Sequence, residues 1–355
     1  MLRILKRLLG GGAPAARPAP RAARRAGAAA TPAPVVLSDE QRALVEAAVL
    51  PRAATRSPPH GGPFPVKTVD SLYLWDAGRA RLVEVRIAFP VGGREPHPLI
   101  VFSHGARGSK DDYQLLTQCW ASWGYVCIQP NHSDARPSTE PEIPESPPTS
   151  AFGDWPNRPR DVTFILDSLI DIEHRTAGLK GLIDRDRIGV GGHSFGASTA
   201  QLLGGALVIR DGRRSRPYRD PRVKALVLIS PQGRGQLHAD GSWDELDLPT
   251  ITVTGTRDRG RDGQPWEWRL EPFNAAPEGR QYAVVVEDGA HDMGGLDRAS
   301  VHVPNLSDEA IAQLVLESTL QFWNAWLKER AGDQASLRQS RTLFQGGTEA
   351  RLMVR

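Results

Sequence analysis

Two cysteines in 355 residues exclude a disulfide framework. Cys119 falls in a predicted helix and Cys127 in the strand after it, where small buried hydrophobes are expected. No run of about eighteen apolar residues occurs, so no transmembrane helix is expected. No two histidines or cysteines share metal-ligand spacing, so neither a metal nor another cofactor is expected. No basic stripe is interleaved with aromatics, which argues against a nucleic-acid partner. Acidic residues are missing from positions 1–36, which carry seven basic ones: Arg3, Lys6, Arg7, Arg17, Arg21, Arg24 and Arg25. The net charge is +3, so the remaining chain carries about −4 and is mildly acidic.

Large apolar side chains are also scarce in 1–36, a stretch of Ala, Pro, Gly and Arg that reads as a disordered basic leader. Its first nine residues mix leucine with cationic positions, as a short membrane-surface helix does, and give the chain a candidate weak contact with membranes. They lack the continuous apolar core of a secretory signal, which favours a cytoplasmic over a secreted protein. Residues 37–64 read as an N-terminal helix and linker. The helix opens on the capping box Ser38-Asp39-Glu40-Gln41 and stops at Pro51.

The segment 65–331 has the size and pattern of one α/β domain. Residues 71–75 and 82–88 form an expected antiparallel pair around the turn at 76–79. Expected strands follow at 99–103, 125–129, a segment ending at His193, 225–229, 250–254 and 282–287. Helices are expected at 113–123, 161–174, 195 onward and 308–328. Residues 130–157 read as an irregular loop. Strands separated by crossover helices imply a mostly parallel central sheet covered by helices on both faces, with no large helical cap. Residues 332–355 read as a loosely ordered C-terminal tail. The chain is expected to act as a monomer.

At the end of the strand before 194 stands Gly192-His193-Ser194-Phe195-Gly196, a G-x-S-x-G pentapeptide between an apolar strand and a small-residue helix. A serine hydroxyl is a poor nucleophile unless it is lifted clear of the sheet and met by a base. A sharp strand-to-helix turn lifts it, and glycines two residues either side let backbones pass closely. Functional groups gather beyond the carboxyl ends of parallel strands. Asp258 is the first carboxylate after strand 250–254, with Asp262 and Asp244 as weaker rivals. His291 follows strand 282–287 in Gly289-Ala290-His291. The order Ser, Asp, His suits a catalytic triad in which His291 moves the proton and Asp258 orients it. His60, His97, His174, His238 and His302 read as solvated, and His193 as packing behind the elbow.

An oxyanion hole needs two backbone N–H donors. Phe195 supplies one directly after the nucleophile. Strand 99–103 runs into Ser103-His104-Gly105-Ala106-Arg107-Gly108, where Gly105 allows a turn and Ala106 is placed to give the other. Trp155, Gln232, Trp266 and Trp268 are the candidate substrate-binding residues.

The stretches VFSHGARGS at 101–109, WGYVCIQPNH at 123–132, RPRDVTFILD at 158–167, DRDRIGVGGHSFG at 184–196 and GAH at 289–291 stand in this order. Together they resemble the dienelactone-hydrolase-like α/β-hydrolases. These are related to plasma-type platelet-activating-factor acetylhydrolases, chlorophyllases and bacterial cutinase-like polyesterases. The resemblance covers roughly residues 65–330. It implies the α/β-hydrolase fold, with Ser194, Asp258 and His291 as triad and Ala106 and Phe195 as oxyanion donors. True dienelactone hydrolases use cysteine where this chain has Ser194, and secreted relatives carry an export signal.

The expected activity is therefore serine-dependent hydrolysis of carboxylic esters through an acyl-enzyme, on a small-molecule or polymeric ester. A cutinase-like polyesterase or a lipid ester hydrolase is the alternative within that class. A non-catalytic α/β-hydrolase scaffold that only binds is the alternative outside it.

Overall fold

The computed structural model describes residues 61–93, 95–136, 155–235, 237–297 and 306–355, and the backbone of 53–56. The expected helix after Ser38 lies outside these residues, as do His60, His302 and most of the 130–157 loop.

Among the described residues the chain is a mixed α/β protein built on one eleven-stranded sheet. Its strands are β1 (Ala53–Arg56), β2 (Val66–Asp76), β3 (Arg81–Pro90), β4 (His97–Ser103), β5 (Val126–Pro130) and β6 (Ile183–His193). A small separate hairpin follows, β7 (Val208–Arg210) with β8 (Arg213–Ser215). The large sheet continues with β9 (Val223–Ile229), β10 (Thr250–Gly255), β11 (Gln281–Val286), β12 (Arg341–Gln345) and β13 (Thr348–Val354). Their spatial order is β1-β2-β3-β5-β4-β6-β9-β10-β11-β13-β12. The six strands from β5 to β11 run parallel and form the middle of the sheet. Both flanks are antiparallel.

Alternate residues of the parallel strands feed two different cores, as the period of two requires. Ile100, Phe102, Cys127, Val227, Ile229, Val253 and Val284 face one side. There they pack under α1 (Gln114–Ser122) and α6 (Leu306–Trp326), which follows the short α5 (Glu271–Ala275), with Trp120 and Trp323 meeting edge to face. Leu99, Val101, Val126, Ile128, Val190, Leu226 and Leu228 face the other. They meet α2 (Asn157–Asp167), α3 (Leu169–Arg175) and α4 (Phe195–Gly204). Burial on both faces explains why these strands read as continuous apolar runs. Cys119 and Cys127 are free buried thiols, and burial pushes Cys119 up to about 12.

Three expectations need correction. Residues 161–174 are two helices, not one. The break is at Ser168, whose hydroxyl donates to the Phe164 carbonyl (2.8 Å) and competes with the helical ladder. The segment 332–355 is not a loose tail. It holds most of α7 (Ala331–Leu337), and β12 and β13 pair through a Gly346-Gly347 turn in which both glycines have positive φ. β13 then extends the sheet beyond β11, burying Ala350 and Leu352. His97 and His238 are buried rather than solvated, and His238 lies on the Trp243 ring.

Candidate active site

β6 ends at His193 and α4 begins at Phe195, so Ser194 alone makes the turn between them. Its φ of 53° and ψ of −116° lie outside the regions an L-residue prefers, a strain of about 1–3 kcal/mol. The surroundings hold it there. Ser194 N–H donates to the Ile229 carbonyl of β9 (2.8 Å), and Ala197 N–H donates to the Ser194 carbonyl (3.0 Å). The glycines are required by space: a Cβ on Gly192 would land on the Gly196 backbone, and one on Gly196 on the Ser103 carbonyl.

The loops after β10 and β11 bring Asp258 and His291 to this turn. Their backbones also touch. Arg257 N–H donates to the Gly289 carbonyl (3.0 Å), and a Cβ on Gly255 would fall on Gly289. His291 Nε2 stands 3.1 Å from Ser194 Oγ, and His291 Nδ1 stands 2.8 Å from Asp258 Oδ1. A carboxylate only accepts, so Nδ1 carries the proton and Nε2 offers its lone pair to the serine hydroxyl. Asp258 is fully buried and takes a second hydrogen bond from Thr254 Oγ1 (3.0 Å), whereas 43% of the His291 side chain is exposed. Asp262 is exposed and Asp244 pairs with Arg214 on the surface, so neither rival acid belongs to this group.

Arg269 completes the environment of the acid. Its guanidinium is buried, with Nε 3.2 Å from Asp258 Oδ1. It also donates to the carbonyls of Ser230, Pro231 and Arg259. Burial alone would raise the Asp258 carboxyl, but the His291 hydrogen bond and the Arg269 charge together hold it below the ordinary value. With its Nδ1–H directed at Asp258, His291 Nδ1 has no lone pair to offer, so the 3.2 Å approach of Arg269 Nη2 is not a hydrogen bond.

His193 lies behind the His291 ring at 4.7 Å between centroids. Its Nε2–H donates to the His291 carbonyl (2.7 Å), which leaves Nδ1 to accept from Tyr113 O–H (2.8 Å). The same phenol oxygen accepts the Gly105 N–H (3.2 Å). Burial, with His291 beside it, lowers His193 to about 3, so it stays neutral and this row keeps one direction.

On the β4 side, Gly105 does not take a left-handed conformation; Arg107 does, with φ 58°. Gly105 is small because a Cβ would stand 3.3 Å from both Tyr113 OH and His193 Nδ1. Ala106 is exposed, and its N–H has no partner among the described residues. The register Ser103 to Gly192 between β4 and β6 carries this turn alongside Ser194 and Phe195.

A buried polar cluster lies beneath the turn. Ser103 Oγ meets His132 Nε2 (2.9 Å), and His132 Nδ1 meets Asp161 Oδ2 (2.9 Å), in a second Ser-His-Asp row sealed from solvent. Arg79 and Arg81 also bind Asp161. Arg158 is fully buried and forks onto both oxygens of Asp134 (2.9 and 2.8 Å). Burial would raise Asp134, yet the Arg158 charge holds it at about 2.

Of the pocket candidates, Trp155 packs edge-on against Tyr218 (5.6 Å) and lies with Phe195, Ser198 and Leu237 around a gap too small for a water. Gln232 accepts from Ser198 Oγ (3.3 Å). Trp268 donates to the Arg234 carbonyl (2.9 Å) and stacks with Arg269 (5.0 Å). Trp266 does not join them: it packs against the cluster of Leu270, Phe273 and Val285 near Arg351 of β13.

Tyr113, Asp134, Arg158 and Arg269 were not singled out from the sequence as site residues. None has a spacing rule to mark it, although Arg158 opens one of the stretches that carry the resemblance. Among the described residues no group of three His, Cys, Asp or Glu could hold a metal. No family model matches this chain, and no curated protein does either.

Proposed function

We propose that this chain is a serine hydrolase of carboxylic esters with an α/β-hydrolase fold. The observation that carries the proposal is the Ser194–His291–Asp258 row, hydrogen-bonded throughout and built at the carboxyl ends of parallel strands. The order Ser, Asp, His along the chain and the strained turn at Ser194 support the same reading.

In the reaction, Ser194 Oγ attacks the ester carbonyl while its proton passes to His291 Nε2. Asp258, kept ionised by His291 and Arg269, stabilises the imidazolium. The carbonyl oxygen gathers charge between the N–H groups of Ala106 and Phe195. His291 then protonates the departing alkoxide, leaving Ser194 acylated. Water repeats the sequence with His291 as base and releases the acid.

The exposed edge of His291 favours an accessible cleft. That supports polymer or lipid esters as substrates beside small ones. Labelling with a fluorophosphonate, alongside turnover of p-nitrophenyl esters of increasing chain length, tests the proposal. Wild type should label at Ser194 and turn over short esters, and Ser194→Ala should do neither. An unlabelled, inactive wild type would leave the binding scaffold as the better reading.

A further inference from the structure

We infer that Arg158 is a positioning residue for the oxyanion hole, an inference that rests on the esterase reading above. In a trans peptide the carbonyl and the N–H point in opposite directions. Whatever grips the Gly105 carbonyl therefore aims the Ala106 N–H, because both belong to one peptide plane.

Three donors grip that carbonyl: Arg158 Nη2 (3.0 Å), His104 Nδ1–H (2.7 Å) and Gly108 N–H (3.1 Å). Arg158 Nη1 also donates to the preceding carbonyl, that of His104 (2.6 Å). Asp134, the partner of Arg158, takes the following N–H, that of Arg107 (3.2 Å). The peptides on either side of Ala106 are thus held from beneath, and its own N–H is the group left facing outward. The His104 ring fits this role. Its Nε2 accepts the His132 N–H (3.2 Å), so its single proton is on Nδ1. Burial, and the Arg158 charge next to it, keep that ring neutral.

The same guanidinium lies 4.6 Å from the centre of the Phe195 ring. One planar cation therefore grips the peptide that carries one oxyanion donor and faces the side chain of the residue that carries the other. Its charge on the Gly105 carbonyl also draws electron density from that peptide and strengthens the Ala106 N–H as a donor. A lysine cannot reproduce the fork: it reaches as a point charge and does not span two carbonyls and a carboxylate.

The test compares Arg158→Gln and Arg158→Lys with wild type in the full chain, reading kcat and KM for p-nitrophenyl butyrate. The Ki of a trifluoromethyl ketone, which forms a tetrahedral adduct on the serine, is read in parallel. Removing an oxyanion donor outright costs about 10²–10³ in kcat. Loss of its aim in Arg158→Gln should cost about 10- to 100-fold, with KM within about twofold and Ki raised by the same factor as kcat falls. Arg158→Lys should fall between, and it keeps a charge facing Asp134, so it is the variant to read where Arg158→Gln does not fold. A folded variant with kcat within twofold of wild type would overturn the inference. So would a rise in KM alone, or an unchanged ketone Ki. A wild type that neither labels nor turns over would instead remove the esterase reading itself.

Discussion

Ser194, the proposed nucleophile, stands on a backbone that only glycine adopts without strain. Ser194→Ala and Ser194→Gly should both lose on the order of 10⁴–10⁶ in kcat. They should differ in stability, because glycine relieves the φ of 53° and alanine does not. A higher melting temperature for Ser194→Gly than for Ser194→Ala is expected; the reverse order would mean that the turn stores no strain. His291→Ala should be nearly as damaging as Ser194→Ala, and Asp258→Asn less so, because the acid orients the base and does not itself transfer protons. Should Asp262→Asn or Asp244→Asn prove worse than Asp258→Asn in steady-state assays, the acid is another residue. Ser194, Asp258 and His291 were legible because each lies in the turn or loop that follows an apolar strand, where a parallel sheet collects chemistry. Arg158 and Arg269 were not. Their partners are carbonyls and carboxylates brought close only by the folded topology, and a charged residue on a predicted helix or loop looks solvated until its neighbours are known.

Among the elements, the parallel strands were the most readable, since burial on both faces leaves runs such as Ile100-Val101-Phe102 with nothing polar between. The C-terminal hairpin was the least. Its strands alternate buried and exposed positions, and Arg341, Gln345, Glu349 and Arg351 dilute the apolar signal. The Gly346-Gly347 turn with alternating Leu343, Ala350 and Leu352 around it was the available clue. Ending the chain after Arg330 strips β13 from β11 and bares the backbone of residues 282–286. Exposed strand edges of that kind template association. The truncated chain is expected to aggregate, or to melt at least several degrees lower, by size-exclusion chromatography and thermal denaturation. A monomer with unchanged melting temperature would make the hairpin dispensable.

For the molecule as a whole, acid stability follows from histidines kept neutral in the interior. Burial lowers His193 to about 3 and His238 to about 4, and it lowers His104 and His132 as well. An unfolded chain binds protons on these rings below about pH 6.5, whereas the folded chain refuses them. Their contribution is therefore complete above that pH and is lost as pH falls from about 6.5 toward 4. At pH 5 the loss approaches about 2 kcal/mol for each of His193 and His238. The depressed carboxylates of Asp134, Asp161 and Asp258 act in the same direction lower down, losing their contribution from about pH 4 downward. The melting temperature should thus drop clearly between pH 7 and pH 5, above the range in which those three carboxylates act. A flat profile across that interval would mean that these rings accept protons in the native state.

The sheet is also completed out of chain order, because β11 waits for β13, which is made only after β12. Some sixty residues separate the two, and a ribosome adds about 5–20 residues each second, so the interval is roughly 3–12 s. Throughout it Val284, Val285 and Val286 lie beside an open edge on every nascent copy. Copies made close together on one messenger RNA share that vulnerability, so yield in a cell is set partly by translation speed and by chaperones that cover the growing chain.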